Sequence, residues 1–409
     1  MKRALAAALS AVAVAAALVL IVVVAAPPAL AADPPPPLRA PLGVTYAGWR
    51  GGFADAAARL DTFRRIGFPL VSFVPAYAYV DLDTVDLASG PTWDELGAAV
   101  ELALRARMLV VVKPHLNPSA YRPGFDQLAS DDHSWRAQCP WRGYFDIDPM
   151  ARDYREGVVF GALRMLRAVL DRLGPAAPAD PIRLELGVEL MDSVVEKPQR
   201  WVELAAAARA EVARLQLRGR VILSHNFSHH IEIPGDFVRR MDPGRRRALA
   251  RYIASLDALA LSQYMDLTAA MPPGERTHRL PTADEVAAAL TRHEDAFRRD
   301  ILQGALALRP RQIPPLHIGE FGIGRGGLRH PNLWGGAATA AQEAALAREI
   351  VRGHEGLLRY LALENGRLSQ SAVLWVTGSH YDIFGWGNPA NAITDAAAVI
   401  RSALATYPR

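Results

Sequence analysis

Two glutamates in this chain each close a short apolar run. Glu189 stands in Leu-Glu-Leu-Gly-Val-Glu-Leu at 184–190, and Glu320 in Pro-Leu-His-Ile-Gly-Glu-Phe-Gly-Ile-Gly at 315–324. A pair of carboxyl groups brought together can work on a glycosidic bond: one attacks or stabilises the anomeric carbon, while the other protonates the departing oxygen. The plainer alternative is a pair of ion-paired interior residues. A carboxylate is costly to bury without partners, and both residues end strand-like runs, which favours chemistry.

Alternation refines the first site. Leu184, Leu186, Val188 and Leu190 alternate with Arg183, Glu185, Gly187 and Glu189, so the apolar set should face covering helices and Glu189 should turn inward. In the second run parity is less decisive, because Ile318 shares a face with Glu320 and His317 does not. His115, Asn117 and Asn226 could hold a sugar or cap turns. His225, His229 and His230 match no helical His-x-x-x-His spacing and have no cysteine nearby, so hydrogen-bonded or solvent-facing histidines are expected there and no metal site. Tryptophans 49, 135, 141, 334 and 386 fall at or just beyond strand ends, where aromatic faces suit sugar stacking. Asp382 and Asn388 are polar loop residues that could contact substrate. Gly322, Gly324, Gly326 and Gly327 lack the lysine-serine/threonine ending of a phosphate loop, which excludes nucleotide binding of that type. No metal or organic cofactor is expected, since two carboxyls suffice for glycosyl transfer to water.

The elements that must position these residues alternate along the chain. Strand-like runs lie at 42–49, 70–77, 108–115, 182–190, 221–227, 258–265, 315–322 and 372–378. Helical patterns lie near 55–66, 92–106, 151–173, 198–215, 244–256, 282–304, 338–362 and 391–406. Eight such units predict a single-domain α/β fold, a (β/α)8 TIM barrel spanning 42–409. Val159, Leu163, Leu166, Leu170 and Leu173 form an apolar helical stripe. Thr92 with Glu95, and Thr282 with Glu285, are spaced as capping boxes. The longest irregular segment, from 117 to about 149, carries Tyr121, Trp135, Trp141 and Tyr144, and lies where a barrel's active face would place a binding wall. A second such loop at 322–336 contains Trp334.

Composition fits an exported globular protein. Of 409 residues 51% are hydrophobic and 22% charged, which is enough to build a large core. Lys2 and Arg3 precede an apolar run from about Leu5 to Ala26, then prolines and Ala29-Leu30-Ala31, the pattern of a signal peptide over 1–31. The run is long enough that an uncleaved membrane anchor is the alternative, with the barrel outside the cytoplasm in either case. Residues 32–41 read as a proline-rich spacer. Without Lys2 and Arg3 the charge is 44 basic against 42 acidic residues, too balanced to imply nucleic acid or an anionic membrane as partner. Cys139 is the single cysteine, so an intramolecular disulfide is excluded.

In order and placement, Gly-Val-Thr-Tyr-Ala-Gly-Trp at 43–49, Val-Lys-Pro-His-Leu-Asn at 112–117, Gly-Val-Glu-Leu at 187–190 and Ile-Gly-Glu-Phe-Gly at 318–322 resemble retaining glycoside hydrolases with a (β/α)8 barrel. The resemblance is nearest to the mannanase-like glycoside hydrolase family 113. It implies Glu189 as acid/base, Glu320 as nucleophile, Tyr264 as a hydrogen-bond partner of the nucleophile and Trp375 as the floor under the reactive sugar. Trp49, His115, Asn117, Trp135 and Asn226 complete the candidate substrate contacts. Two departures bear on the substrate. Val188 stands where many relatives of the wider group have asparagine, and 71–77 lacks the arginine often found at the end of strand two. The resulting expectation is an exported retaining hydrolase of β-glycosidic bonds in a poly- or oligosaccharide, mannan being one candidate. A barrel that binds glycans without hydrolysing them is the competing class.

Overall fold

The computed structural model describes residues 37–48, 52–118, 145–228, 238, 241–264, 267–272, 275, 279–323, 340–376, 383–386 and 392–407. Among them the strands are β1 (Leu42–Gly48), β2 (Leu70–Tyr79), β3 (Val85–Asp86), β4 (Leu109–Val112), β5 (His115–Pro118), β6 (Ile182–Val188), β7 (Val221–Ser228), β8 (Ala258–Gln263), β9 (Leu316–Phe321) and β10 (Ser369–Leu374). Eight of them follow one another in parallel in the order β1, β10, β9, β8, β7, β6, β4, β2, and β2 pairs with β1 to close the ring. Closure leaves none of these eight strands at an edge of the ring. The expected eight-stranded barrel is the observed fold.

The main helices are α1 (Ala56–Ile66), α2 (Trp93–Arg105), α3 (Phe160–Leu173), α4 (Met191–Glu196), α5 (Pro198–Arg214), α6 (Pro243–Ser255), α7 (Ala283–Ala296), α8 (Ala340–Ala362) and α9 (Thr394–Ala405). Both expected capping boxes form: the Thr92 and Thr282 hydroxyls accept from the Glu95 and Glu285 amides, and each glutamate accepts from its threonine's amide. A cap of this kind contributes about 1 kcal/mol. Helix α1 ends at Gly67, whose φ of 108° lets its amide reach the Phe63 and Arg64 carbonyls, a conformation that favours glycine. The stripe faces the barrel, with Val159 just before α3 and Leu163, Leu166 and Leu173 on it buried, and Leu170 partly so. Each fully buried leucine contributes about 1.5–3 kcal/mol.

Local departures have local causes. The third strand is interrupted at Lys113-Pro114, since proline offers no amide to the ladder, and resumes as β5 beside β2. The last strand starts at Ser369, earlier than its apolar run, because Ser369 is buried and donates to Glu294 of α7. Short α4 and the two-residue β3, antiparallel to β2, carry too few residues for a periodic signal. The end of the proline-rich stretch joins the barrel: Leu38 and Ala40 are buried, and the Arg39 amide donates to the Leu361 carbonyl. The expected signal segment, 1–31, lies outside the described residues.

Candidate active site

Strand β9 is irregular at the residue before Glu320. Leu261 of β8 pairs with Ile318, while the next residue, Ser262, pairs with Glu320. Gly319 is thus an extra residue that shifts the alternation. The bulge settles the parity problem. Ile318 joins the main hydrophobic core, His317 lies 2.8 Å from the Ser371 hydroxyl, and Glu320 turns to the side chains of the neighbouring strands. Glycine is needed there, because a Cβ at 319 would stand 2.4 Å from Asn226 Oδ1 and 2.8 Å from Ala260 Cβ.

Strand β6 breaks register in the same way before Glu189. Glu185 pairs with Ser224 and Val188 with Asn226, so three steps on β6 match two on β7. A Cβ at Gly187 would strike His225 and Trp201, which pack against Tyr252 of α6 on the helix side. Unbroken alternation from Arg183 to Glu189 therefore fails at Gly187. The Tyr154 hydroxyl donates to the Leu186 carbonyl inside the bulge. Glu189 itself has a φ of 56°, rare for a side-chain-bearing residue and costing about 1 kcal/mol or more. Its amide donates to the Asn226 carbonyl at 2.8 Å, so the turned backbone is anchored to β7.

Among the described residues, four side chains meet the Glu320 carboxylate. Tyr264 donates to Oε2 at 2.6 Å. On the other oxygen, Lys113 Nζ donates at 3.3 Å and Asn226 Nδ2 at 3.4 Å, with His115 Nε2 3.2 Å away. Asn226 also donates to Ser262 at 2.9 Å. Through its carbonyl and its side-chain amide, this one residue touches both glutamates. Trp375 follows β10, its amide bound to the Phe321 carbonyl at 2.8 Å, and its ring stacks on His115 at 5.4 Å with 6° between planes. Glu320 is 1% and Glu189 2% exposed.

Beneath Glu320 the barrel interior carries more charge. Lys113 lies 3.6 Å from Glu185, and Glu185 3.6 Å from Arg183. Burial raises the pKa of Glu185, opposed by the neighbouring charges of Lys113 and Arg183. Burial lowers that of Arg183. His317 is held well below the usual histidine range, first by burial and then by Arg183, and so stays neutral. This ladder is the part of the site that motif reading missed. Its signal was present, since Lys113, Arg183 and Glu185 interrupt otherwise apolar strands.

The other expected residues divide into three groups. Tyr264, Asn226 and His115 gather at Glu320, while Asn117 is half-buried on β5 opposite Ala78. Trp386 belongs to packing, stacked on Phe384 at 4.3 Å and tilted against Phe63 of α1 at 5.0 Å. His225 is enclosed against Tyr252, 2.8 Å from its hydroxyl, and burial pushes its pKa down to about 3. Trp49, Trp135, Trp141, Trp334, His229, His230, Asp382 and Asn388 lie outside the described residues, as do Tyr121, Tyr144 and Cys139. Among the described residues no three His, Cys, Asp or Glu side chains group as metal ligands.

No family model matches the chain, and no curated protein matches its sequence. Solved structures do match. A GH113 β-1,4-mannanase solved as a complex superposes with a TM-score of 0.53 at 16% identity, covering 89% of this chain and 98% of the other. A second GH113 β-1,4-mannanase structure gives 0.52, with the same identity and coverage. At such identity the likeness speaks for the fold: this chain has the barrel of those glycoside hydrolases over nearly their whole length.

Proposed function

We propose that the protein is an exported retaining hydrolase of β-glycosidic bonds, with Glu320 as nucleophile and Glu189 as acid/base. The observation that carries this reading is the setting of Glu320: a bulged strand end aims the carboxylate inward, Tyr264 and Asn226 donate to it, and Lys113 stands beside it. Such donors favour the ionised form a nucleophile needs. Glu189 directly follows β6, which β7 and β8 separate from β9, on the face where barrels carry their active sites.

In the first step a Glu320 oxygen attacks the anomeric carbon and the glycosidic C–O bond breaks. Its electron pair leaves with the aglycone oxygen, which takes the Glu189 proton. In the second, Glu189 removes a proton from water, the water oxygen attacks the anomeric carbon and the Glu320 carboxylate departs. Trp375 supplies an aromatic face for the reactive sugar, and Asn117, Trp49 and Trp135 are further substrate contacts. Asn226 and His115, wholly buried against Glu320, are better assigned to holding the carboxylate than to gripping sugar.

Mannan-type polysaccharide is the first substrate to try, since the superposable barrels are β-1,4-mannanases. A panel of β-mannan, glucomannan, chitosan, cellulose and aryl glycosides, with the product anomer followed by NMR, tests the reading. Initial product of retained configuration is expected. Inverted product would exclude double displacement, and binding without turnover across the panel would favour a glycan-binding barrel. Export rests on Lys2-Arg3, the apolar run and Ala29-Leu30-Ala31. N-terminal sequencing should find a chain starting near Ala32, whereas an intact Met1 in the membrane fraction would establish an anchor.

A further inference from the structure

Lys113 is wholly buried, directly after the strand Leu109, Val110, Val111 and Val112. A lysine so enclosed needs acceptors, and it has three. Nζ donates to the Gly319 carbonyl at 2.6 Å and to Glu320 Oε1 at 3.3 Å, and stands 3.6 Å from Glu185 Oε2. The Gly319 carbonyl belongs to the β9 bulge, so Lys113 grips both the irregular backbone that aims Glu320 and the carboxylate itself. Glu185 is in turn 3.6 Å from Arg183. Acid and base alternate through these contacts as Arg183, Glu185, Lys113 and Glu320, every one buried.

We propose that Lys113 is a positioning residue that holds Glu320 ionised and aimed, with Glu185 as the counter-ion that shares its charge. The catalytic part of this inference rests on Glu320 acting as nucleophile. When Glu320 forms an ester with the sugar its negative charge is lost, and the ammonium, still paired to Glu185, is not left uncompensated. When the ester is cleaved, Lys113 stands ready for the returning carboxylate. The other titratable groups facing Glu320 are His115 from β5, 3.2 Å away, and Tyr264 beyond β8. His317 from β9 lies nearer Arg183 and is neutral.

The two partners predict displacements of opposite sign. Removing the ammonium should make Glu320 harder to ionise, whereas removing the competing Glu185 charge should make it easier. The full barrel is labelled with 13C at the glutamate carboxyls and titrated by NMR, the Glu320 resonance being assigned by its loss in Glu320→Gln. In Lys113→Met the Glu320 midpoint should rise by about one to three pH units. In Glu185→Gln it should fall by about one unit. A midpoint that stays put in Lys113→Met overturns the inference; should that variant not fold, a midpoint that does not fall in Glu185→Gln overturns it. A merely structural lysine would change melting temperature in both variants without moving the midpoint in opposite directions. The titration needs no turnover, so failure of azide rescue in Glu320→Gly strikes the hydrolase reading alone, and an unmoved midpoint strikes this inference alone.

Discussion

Glu294 on α7 and Glu320 on β9 are shut away from solvent to the same degree, at 0% and 1% exposure, yet their partners differ in kind. Glu294 lies among neutral donors: the Tyr360 hydroxyl meets one oxygen and the Ser369 hydroxyl the other. Burial pushes its pKa up to about 7, with the two hydroxyls and the more distant charge of Arg367 only partly opposing the rise. Glu320 has a phenol, an amide, a histidine and an ammonium. Burial alone disfavours a carboxylate, and a cation in direct contact opposes that effect. One site ties α7 to α8 and β10 through hydroxyls, and the other sets its carboxylate against an ammonium.

The contrast can be broken most forcefully at Glu320. Glu320→Gly should lower turnover by at least about 10⁴-fold, and azide or formate should restore hydrolysis of an activated aryl glycoside with inverted product. Rescue with retained product would exchange the two glutamates' roles. Glu189→Ala comes next, with a loss of about 10²–10⁴-fold on substrates with poor leaving groups. With good leaving groups the first step should be spared, and azide should speed release with retention. Equal losses for all leaving groups would argue against Glu189 as the acid. Trp375→Ala should reduce kcat/KM by about tenfold or more while the fold survives. If saccharide binding and turnover are both unaffected, the ring serves only to pack His115.

At Glu294 the same contrast predicts a stability effect. Its folded pKa, about 7, exceeds the ordinary 4.5, so the folded state holds the proton more tightly. That contribution is complete below about pH 4.5 and is lost as pH rises through 7, amounting to about 3 kcal/mol. Glu294→Gln should flatten the stability profile between pH 5 and 8 in denaturant titrations. A slope unchanged by the substitution would assign the proton elsewhere. The smallest effect is expected from chelation: EDTA should leave turnover nearly unchanged, and activity restored by one particular divalent ion would count against a purely carboxylate site.

Sequence periodicity determined the barrel, because each strand and helix buries one face and writes that face into its own residues. The eight apolar runs became the eight barrel strands, and Thr92 and Thr282 mark helix starts through bonds spanning three residues. Tyr264 is named as a partner of the nucleophile through the family resemblance, and Asn226 as a possible sugar ligand, whereas the structure sets both against Glu320. Tertiary structure decided what alternation could not. The bulges at Gly187 and Gly319 change which face follows, and an inserted residue is visible only against the register of a partner strand. Trp386 looked like a sugar platform until Phe63 and Phe384 took its faces. Lys113 and Glu320 lie 207 positions apart, and their meeting depends on closure of the ring: a local pattern records what a residue buries, but only the closed barrel decides which charge it is buried against.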